Sequence, residues 1–175
     1  MSSVIIERSF EESLTTDIVR SMAEELSPCM GIYSVTWQES WLSKNGNKMI
    51  CHFDAPDAEA LRNTFRRNNT PVKVLYPCTL HDTGNSGSVN VVVERSWSEP
   101  VNMDDIAAIE EAGSWCLEAH DVTFIRTFFS RDRKRMVCLY QAPDAESVRM
   151  SQNKAKMPFD QVWPLQHLTP ATLFG

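Results

Sequence analysis

The chain repeats itself at one offset. Pro56 falls on Pro143, 87 residues away, and the same shift lays Val4-Ile5-Ile6-Glu7-Arg8-Ser9-Phe10 on Val91-Val92-Val93-Glu94-Arg95-Ser96-Trp97. It lays Cys29 on Cys116, Met49 and Cys51 on Met136 and Cys138, and Pro71 and Pro77 on Pro158 and Pro164. The five residues from Ala55 to Glu59 match those from Ala142 to Glu146 at every position. A single offset from end to end means no net insertion separates the copies, which is the mark of an internal duplication. Two copies are too few for a solenoid, so a fused pair of like domains is expected. The boundaries read as repeat 1 over 1–81, a Gly- and Ser-containing linker over 82–88, and repeat 2 over 89–175.

Each copy carries the same element signals. "VIIE" and "VVVE" are β-branched runs that predict a first strand. Leu14, Ile18, Met22 and Leu26 recur at spacing four and predict a helix. Ile106, Ile109 and Gly113 mark the inner face of its counterpart. Asn102 is placed to cap that second helix, and Pro28 and Gly31 to stop the first. Alternation over Val35 to Trp41 predicts a second strand with Val35, Trp37, Glu39 and Trp41 on one side. "KMICHF" and "RMVCLY" predict the third strand. The Ala-Pro-Asp-Ala-Glu phrase then opens a second helix, with Pro in its first turn and acidic groups at the positive end of the helix dipole. "VKVLY" and "FDQVW" complete the unit.

The order β-α-β-β-α-β is the ferredoxin-like split unit, so the fold class is α+β. Two helices cover one face of such a sheet, and the other face needs a cover of its own. The expectation is a pseudo-dimeric α/β barrel-like sandwich with helices outside, and a monomer with internal pseudo-twofold symmetry.

Net charge is −6, which argues against a nucleic-acid or anionic-membrane partner, since both require a broad basic face. "RDRKR", Arg131 to Arg135, is the one basic run and reads as a solvated turn. No apolar run nears the ~20 residues of a bilayer span, and the N-terminal segment lacks the basic start of a secretory signal. Five cysteines, with no CxxC pair, suit reduced thiols in a cytoplasmic protein.

One position stands out for chemistry. Glu39 lies between Trp37 and Trp41, and its counterpart Arg126 lies between Phe124 and Phe128. A carboxylate in one copy replaces a guanidinium in the other, each among aromatics. Three readings stay open: a polar spot in an aromatic-lined ligand pocket, a charge pair that fixes the two halves, or two solvated strand ends. Cys51 and Cys138 read as small apolar residues of the third strand. Of each Glu7-Arg8 and Glu94-Arg95 pair one residue can point inward, because neighbours on a strand face opposite ways, but an exposed strand end is the favoured reading. The histidines, His52, His81, His120 and His167, are not repeated, and no HxH or HExxH spacing appears, so no residue is assigned as a metal ligand. No P-loop, GxGxxG or GxSxG occurs, and no cofactor is indicated.

Both copies resemble a family of small nickel-binding, nickel-responsive proteins with a ferredoxin-like, dimeric domain. Ile6-Glu7-Arg8 and Val93-Glu94-Arg95 match the family's opening motif. Cys138-Leu139-Tyr140-Gln141-Ala142-Pro143-Asp144 and Cys51-His52-Phe53-Asp54-Ala55-Pro56-Asp57 match its Cys-x-Tyr-x-Ala-Pro-Asp run. The resemblance spans nearly the whole chain, twice. At the family's Trp-x-His-Ser-Tyr block, however, the histidine is replaced by Glu39 and Arg126. At its Arg-Glu-His-Ala block it is replaced by Thr64 and Ser151. An arginine at a ligand position repels a cation, so nickel ligation is carried over to no residue.

Three readings follow from these features, the last of them a structural or regulatory module that self-associates through an exposed strand edge. The first is a non-catalytic protein that binds a small ligand or a metal. The second is a cofactor-independent oxygenase or isomerase of the dimeric α/β-barrel kind, for which Glu39, Arg126 and His120 are the titratable candidates. The ligand-pocket candidates are Trp37, Glu39, Trp41, Phe124, Arg126, Phe128 and His120.

Overall fold

Repetition in the sequence is repetition in backbone conformation. The computed structural model describes residues 1–175. The first half runs β1 (Ser2–Ser9), α1 (Thr16–Ile32), β2 (Thr36–Ser43), β3 (Lys48–Ala55), α2 (Ala58–Arg67) and β4 (Val74–Asp82). The second runs β5 (Val91–Ser96), α3 (Met103–Ala112), α4 (Ser114–Ala119), β6 (Thr123–Ser130), β7 (Arg135–Gln141), α5 (Ala145–Lys154) and β8 (Gln161–Leu168), and α6 (Pro170–Phe174) follows. The chain is α+β, with two ferredoxin-like βαββαβ repeats. Left-handed residues recur in pairs at the same offset: Ser34 with Asp121, Gly46 with Arg133, and Asn69 with Lys156. Each non-glycine member carries a backbone cost of about 1–2 kcal/mol that its turn must offset.

Those residues decide where the helices end. Ser34 and Asp121 reverse the chain so that Val35 N–H reaches Met30 O at 2.9 Å and Val122 N–H reaches Leu117 O at 2.8 Å. The stop therefore comes later than Pro28 and Gly31 suggested. Pro28 lies inside α1 on its exposed side, and the last turn closes through Tyr33 N–H to Cys29 O at 3.3 Å. Val19 and Leu26 form the buried side of α1, whereas Ile18 is exposed and Leu14 precedes the helix. In repeat 2 the first helix breaks at Gly113, where a Cβ would lie 2.4 Å from the Cβ of Ala155. Glycine is required there for the close approach of helix to helix. Leu26 holds the equivalent place in repeat 1.

The Ala-Pro-Asp phrase acts through its aspartate. Asp57 Oδ1 accepts from Ala60 N–H and Asp144 Oδ1 from Ser147 N–H, both at 2.7 Å, so these residues are the N-caps. Pro56 and Pro143 sit just before the cap instead of in the first turn. Asn102 caps α3 as expected, accepting from Asp104 N–H at 2.8 Å.

The chain divides into two compact units, Met1–Cys78 with Gln166–Gly175 and Thr79–Leu165. In unit 1 the strand order is β4-β1-β3-β2, with the end of β8 beside β2. In unit 2 it is β8-β5-β7-β6, with the end of β4 beside β6. Strand β1 pairs antiparallel with β3 and β4, and β3 with β2. Strand β5 pairs antiparallel with β7 and β8, and β7 with β6. Helices pack on one face of each sheet. In unit 1, Val4, Ile6, Cys51 and Phe53 meet Leu26 and Leu61. In unit 2, Val93, Cys138 and Tyr140 meet Ile106 and Val148. The opposite faces are buried as well, at Ile5, Trp41 and Ile50 and at Val92, Phe128 and Leu139. No helix is long and apolar enough to cross a membrane.

A β-bulge in each unit changes which residues share a face. Register against β3 slips between Trp37 and Glu39, and register against β7 slips between Phe124 and Arg126. Gln38 and Ile125 are the extra residues. Trp37 therefore lies with Ser40 and Leu42 on the helix-covered face, and Glu39 and Trp41 lie on the other. The single face expected to carry all three does not form, and Phe124 is likewise separated from Arg126 and Phe128. The carbonyls freed at the second bulge are used. Ile125 O accepts from Thr83 Oγ1 at 2.8 Å and Phe124 O from Asn85 Nδ2 at 3.0 Å. The 82–88 segment is thus anchored at Thr83 and Asn85.

Candidate ligand pocket

Strand β1 alternates Val4, Ile6 and Arg8 onto the helix-covered face, so a guanidinium arrives at the edge of an apolar core. There α1, the end of α2 and strands β2 and β3 line a half-open cavity of about 330 Å³ in unit 1. Its walls are mostly apolar, with Leu26, Met22, Met49, Phe53 and Phe65 prominent. Polar groups are few. Trp37 Nε1 donates to Ser40 Oγ at 2.9 Å, and Ser40 Oγ donates to Cys51 Sγ at 2.9 Å. Arg8 stands with its guanidinium carbon 4.9 Å from the centre of the Phe10 ring and makes no hydrogen bond or ion pair. Glu25 lines the rim, exposed, and forms no ion pair with Arg8.

Burial sets the protonation of the pocket. It pushes the Cys51 thiol up to about 11, against the opposing pull of the Ser40 hydrogen bond and the Arg8 charge. Cys51 is therefore a neutral thiol near pH 7, a poor nucleophile and a poor metal ligand. Burial also lowers the pKa of Arg8, with Cys51 opposing. It nonetheless remains a cation, as arginine does in proteins. The arrangement is one fixed positive charge beside an apolar space, with a small hydroxyl–thiol–indole chain behind it.

Unit 2 has the same shell, filled. Arg95 is 2% exposed. Its Nη1 donates to Pro158 O at 2.7 Å, and its Nη2 donates to Gln152 Oε1 at 2.7 Å and to Tyr140 Oη at 3.1 Å. Phe124 stacks on Tyr140 at 5.1 Å between ring centres. Glu110 adds a half-buried carboxylate, its pKa pushed up by burial and pulled down by Arg95. The counterparts of Tyr140, Gln152 and Glu110 in unit 1 are Phe53, Phe65 and Ala23. These three polar side chains beside Arg95 are thus apolar around Arg8.

The sequence candidates scatter over this frame. Trp37 lines the pocket and Phe124 its filled counterpart. Glu39 lies on the opposite face of β2, where His167 Nε2 sits 3.0 Å from its Oε2. Trp41 is fully buried on that same face. Arg126 and Phe128 lie on the corresponding face of β6, Arg126 partly buried and Phe128 fully. His120 ends α4, and its Nε2 is buried without a hydrogen bond. Sequence reasoning passed over Arg8, Ser40 and Cys51 as site residues. The usable signal was the phase of β1, since Arg8 shares the alternation of Val4 and Ile6.

Comparison with known proteins agrees with the repeat. The family described as "Nickel responsive protein SCO4226-like" matches residues 5–77 and again 92–165. No curated protein sequence matched the chain. Among solved structures, SCO4226 from Streptomyces coelicolor A3(2) is 14% identical, covers 49% of this chain and all of its own, and superposes with a TM-score of 0.39. A protein assigned as a chlorite dismutase, TA0507, is 11% identical over 98% of this chain and 96% of its own, with a TM-score of 0.53, which is a likeness of fold. A protein assigned as a monooxygenase from Lactobacillus acidophilus NCFM is 6% identical over 95% and 94%, with a TM-score of 0.48.

Nickel, which the family description implies, was tested against the donors present. No group of three or more His, Cys, Asp or Glu side chains is close enough to share an ion. Glu39 and His167 supply two donors at most. Thr64 and Ser151, at the other family-histidine positions, are fully buried and bond Ala60 O and Val148 O on their own helices. The residues do not fit a nickel centre. Matched twice at one offset over most of its length, the chain belongs to the SCO4226-like family of nickel responsive proteins, as a tandem pair of its domains.

Proposed function

We propose that the chain is a non-catalytic binding protein that holds one small, largely apolar molecule in the unit 1 pocket. One observation carries this reading: the same shell is packed shut around Arg95 in unit 2 and open around Arg8 in unit 1. A cavity of about 330 Å³ falls at the lower end of the range for small-molecule sites. At a water-like ~30 Å³ per heavy atom it accepts roughly ten such atoms. Naphthalene, with ten carbons, is therefore a suitable probe. Calorimetric titration is expected to give one site with a dissociation constant of tens of micromolar, or about 6 kcal/mol. Ala23→Phe, which fills the cavity, should weaken it at least tenfold. Absence of binding, or binding indifferent to Ala23→Phe, would end the proposal.

The oxygenase or isomerase alternative has less support. It requires a base poised near neutrality inside the cavity. The groups there are a half-buried cation, a thiol held neutral and a carboxylate at the exposed rim. The likeness to TA0507 is one of fold and carries no reaction with it. Metal binding has a separate test. Titration with nickel(II) should give no saturable heat at micromolar protein. One equivalent bound, and lost in His167→Ala, would restore the metal reading.

A further inference from the structure

We infer that the pocket's ligand carries an anionic group, a carboxylate or its equivalent, which pairs with Arg8 while the apolar remainder fills the space under α1. The inference rests on the binding reading above and names its ligand class. Its warrant is internal to the chain, since repeat 2 displays what a guanidinium at this position takes when its surroundings are complete. Arg95 has three oxygen acceptors, on Pro158, Gln152 and Tyr140, and a half-buried carboxylate, Glu110, within electrostatic reach. The Glu110, Tyr140 and Gln152 side chains are replaced in repeat 1 by the apolar Ala23, Phe53 and Phe65, and all three replacements line the cavity. Arg8 also forms no bond to the Pro71 carbonyl that matches Pro158.

A half-buried guanidinium facing an apolar cavity without an acceptor is an unmet electrostatic demand. Phe10 stacks under it and meets only part of that demand. The exposed Glu25 at the rim is the other charged group lining the cavity, and it stays apart from Arg8. Ala23 occupies the place of Glu110, so an acid entering this cavity takes the space that the Glu110 side chain fills in repeat 2. The apolar walls exclude a bare inorganic anion, which would leave Met22, Leu26 and Phe65 lining a void.

Octanoate and 1-octanol separate the two layers of the argument, because they match in chain length and differ in charge at pH 7.5. Calorimetric titration should show octanoate binding about 10- to 100-fold more tightly than octanol, the margin of hydrogen bonds to a charged group. In Arg8→Gln that margin should vanish while octanol affinity is retained. In Ala23→Glu, which keeps Arg8 and supplies the internal carboxylate of repeat 2, octanoate should lose its advantage again. The second variant decides the matter even if the first fails to fold by circular dichroism. Equal binding of the two ligands to the unaltered protein would overturn the anion assignment and leave the pocket reading standing. Binding of neither would sink both.

Discussion

Replacing Arg95 with methionine is expected to cost about 3–5 kcal/mol of stability, and the same change at Arg8 less than about 1 kcal/mol. The two residues occupy equivalent places in one duplicated sequence, so the contrast measures surroundings and not residue type. Without Arg95, the Gln152 Oε1, the Tyr140 hydroxyl and the Pro158 carbonyl lose a shared donor in a site closed to water. Glu110, already pushed toward its neutral form by burial, also loses the charge that opposes that push. Arg8 has no hydrogen bond to lose, and its removal forfeits the stacking contact with Phe10. Urea unfolding of the two variants at pH 7 reads the difference as separate midpoints. Equal losses would mean that the open and closed shells are not energetically distinct.

A second large effect is expected from deleting two residues, Gln38 and Glu39, together. The bulge lets Val35 and Trp37 share the helix-covered face with Leu42 and Met49. Deleting Gln38 alone removes the extra residue and leaves Trp37 opposite Phe53 and its neighbours on the faces they already occupy. Deleting both sets Trp37 directly before Ser40 and turns the first part of β2 over. Val35 and Trp37 then leave the core, and the Trp37–Ser40–Cys51 chain breaks. At about 1.5–3 kcal/mol for each apolar side chain lost from burial, the double deletion should cost about 3–5 kcal/mol in urea unfolding. The single deletion gives up the half-buried bond from Gln38 to Asp54 Oδ2 and should stay within about 1 kcal/mol. If the double deletion were as mild as the single one, the facing of Val35 and Trp37 would have no structural role.

That bulge marks the limit of what could be read from the chain alone. The duplication was legible because it is a property of one string compared with itself, and the βαββαβ order followed from strand and helix signals seen twice. A bulge is a property of two strands, since it exists only where two residues of β2 face one of β3. Counting along β2 alone set Trp37, Glu39 and Trp41 on one face and drew attention to Glu39 and Arg126. The partner of Glu39 was hidden for a related reason. His167 has Leu80 as its repeat counterpart, so comparison of the copies gave it no weight. Arg8 was visible in phase with Val4 and Ile6, but its significance lies in what surrounds it. Phe53, Phe65 and Ala23 come from three elements that only the fold brings together. Pro28 was misread because α1 runs on past it to Ile32 and is stopped by the left-handed Ser34.

The division of the chain into units has a consequence for synthesis. Residues 79–165 form one unbroken stretch, so unit 2 has all its parts as soon as Leu165 has been made. Unit 1 includes residues 1–78 yet takes Leu168 and Leu173 into its core from beyond unit 2. The half translated first is therefore completed after the second, and its pocket-bearing core waits on residues 166–175 while unit 2 can already be folded.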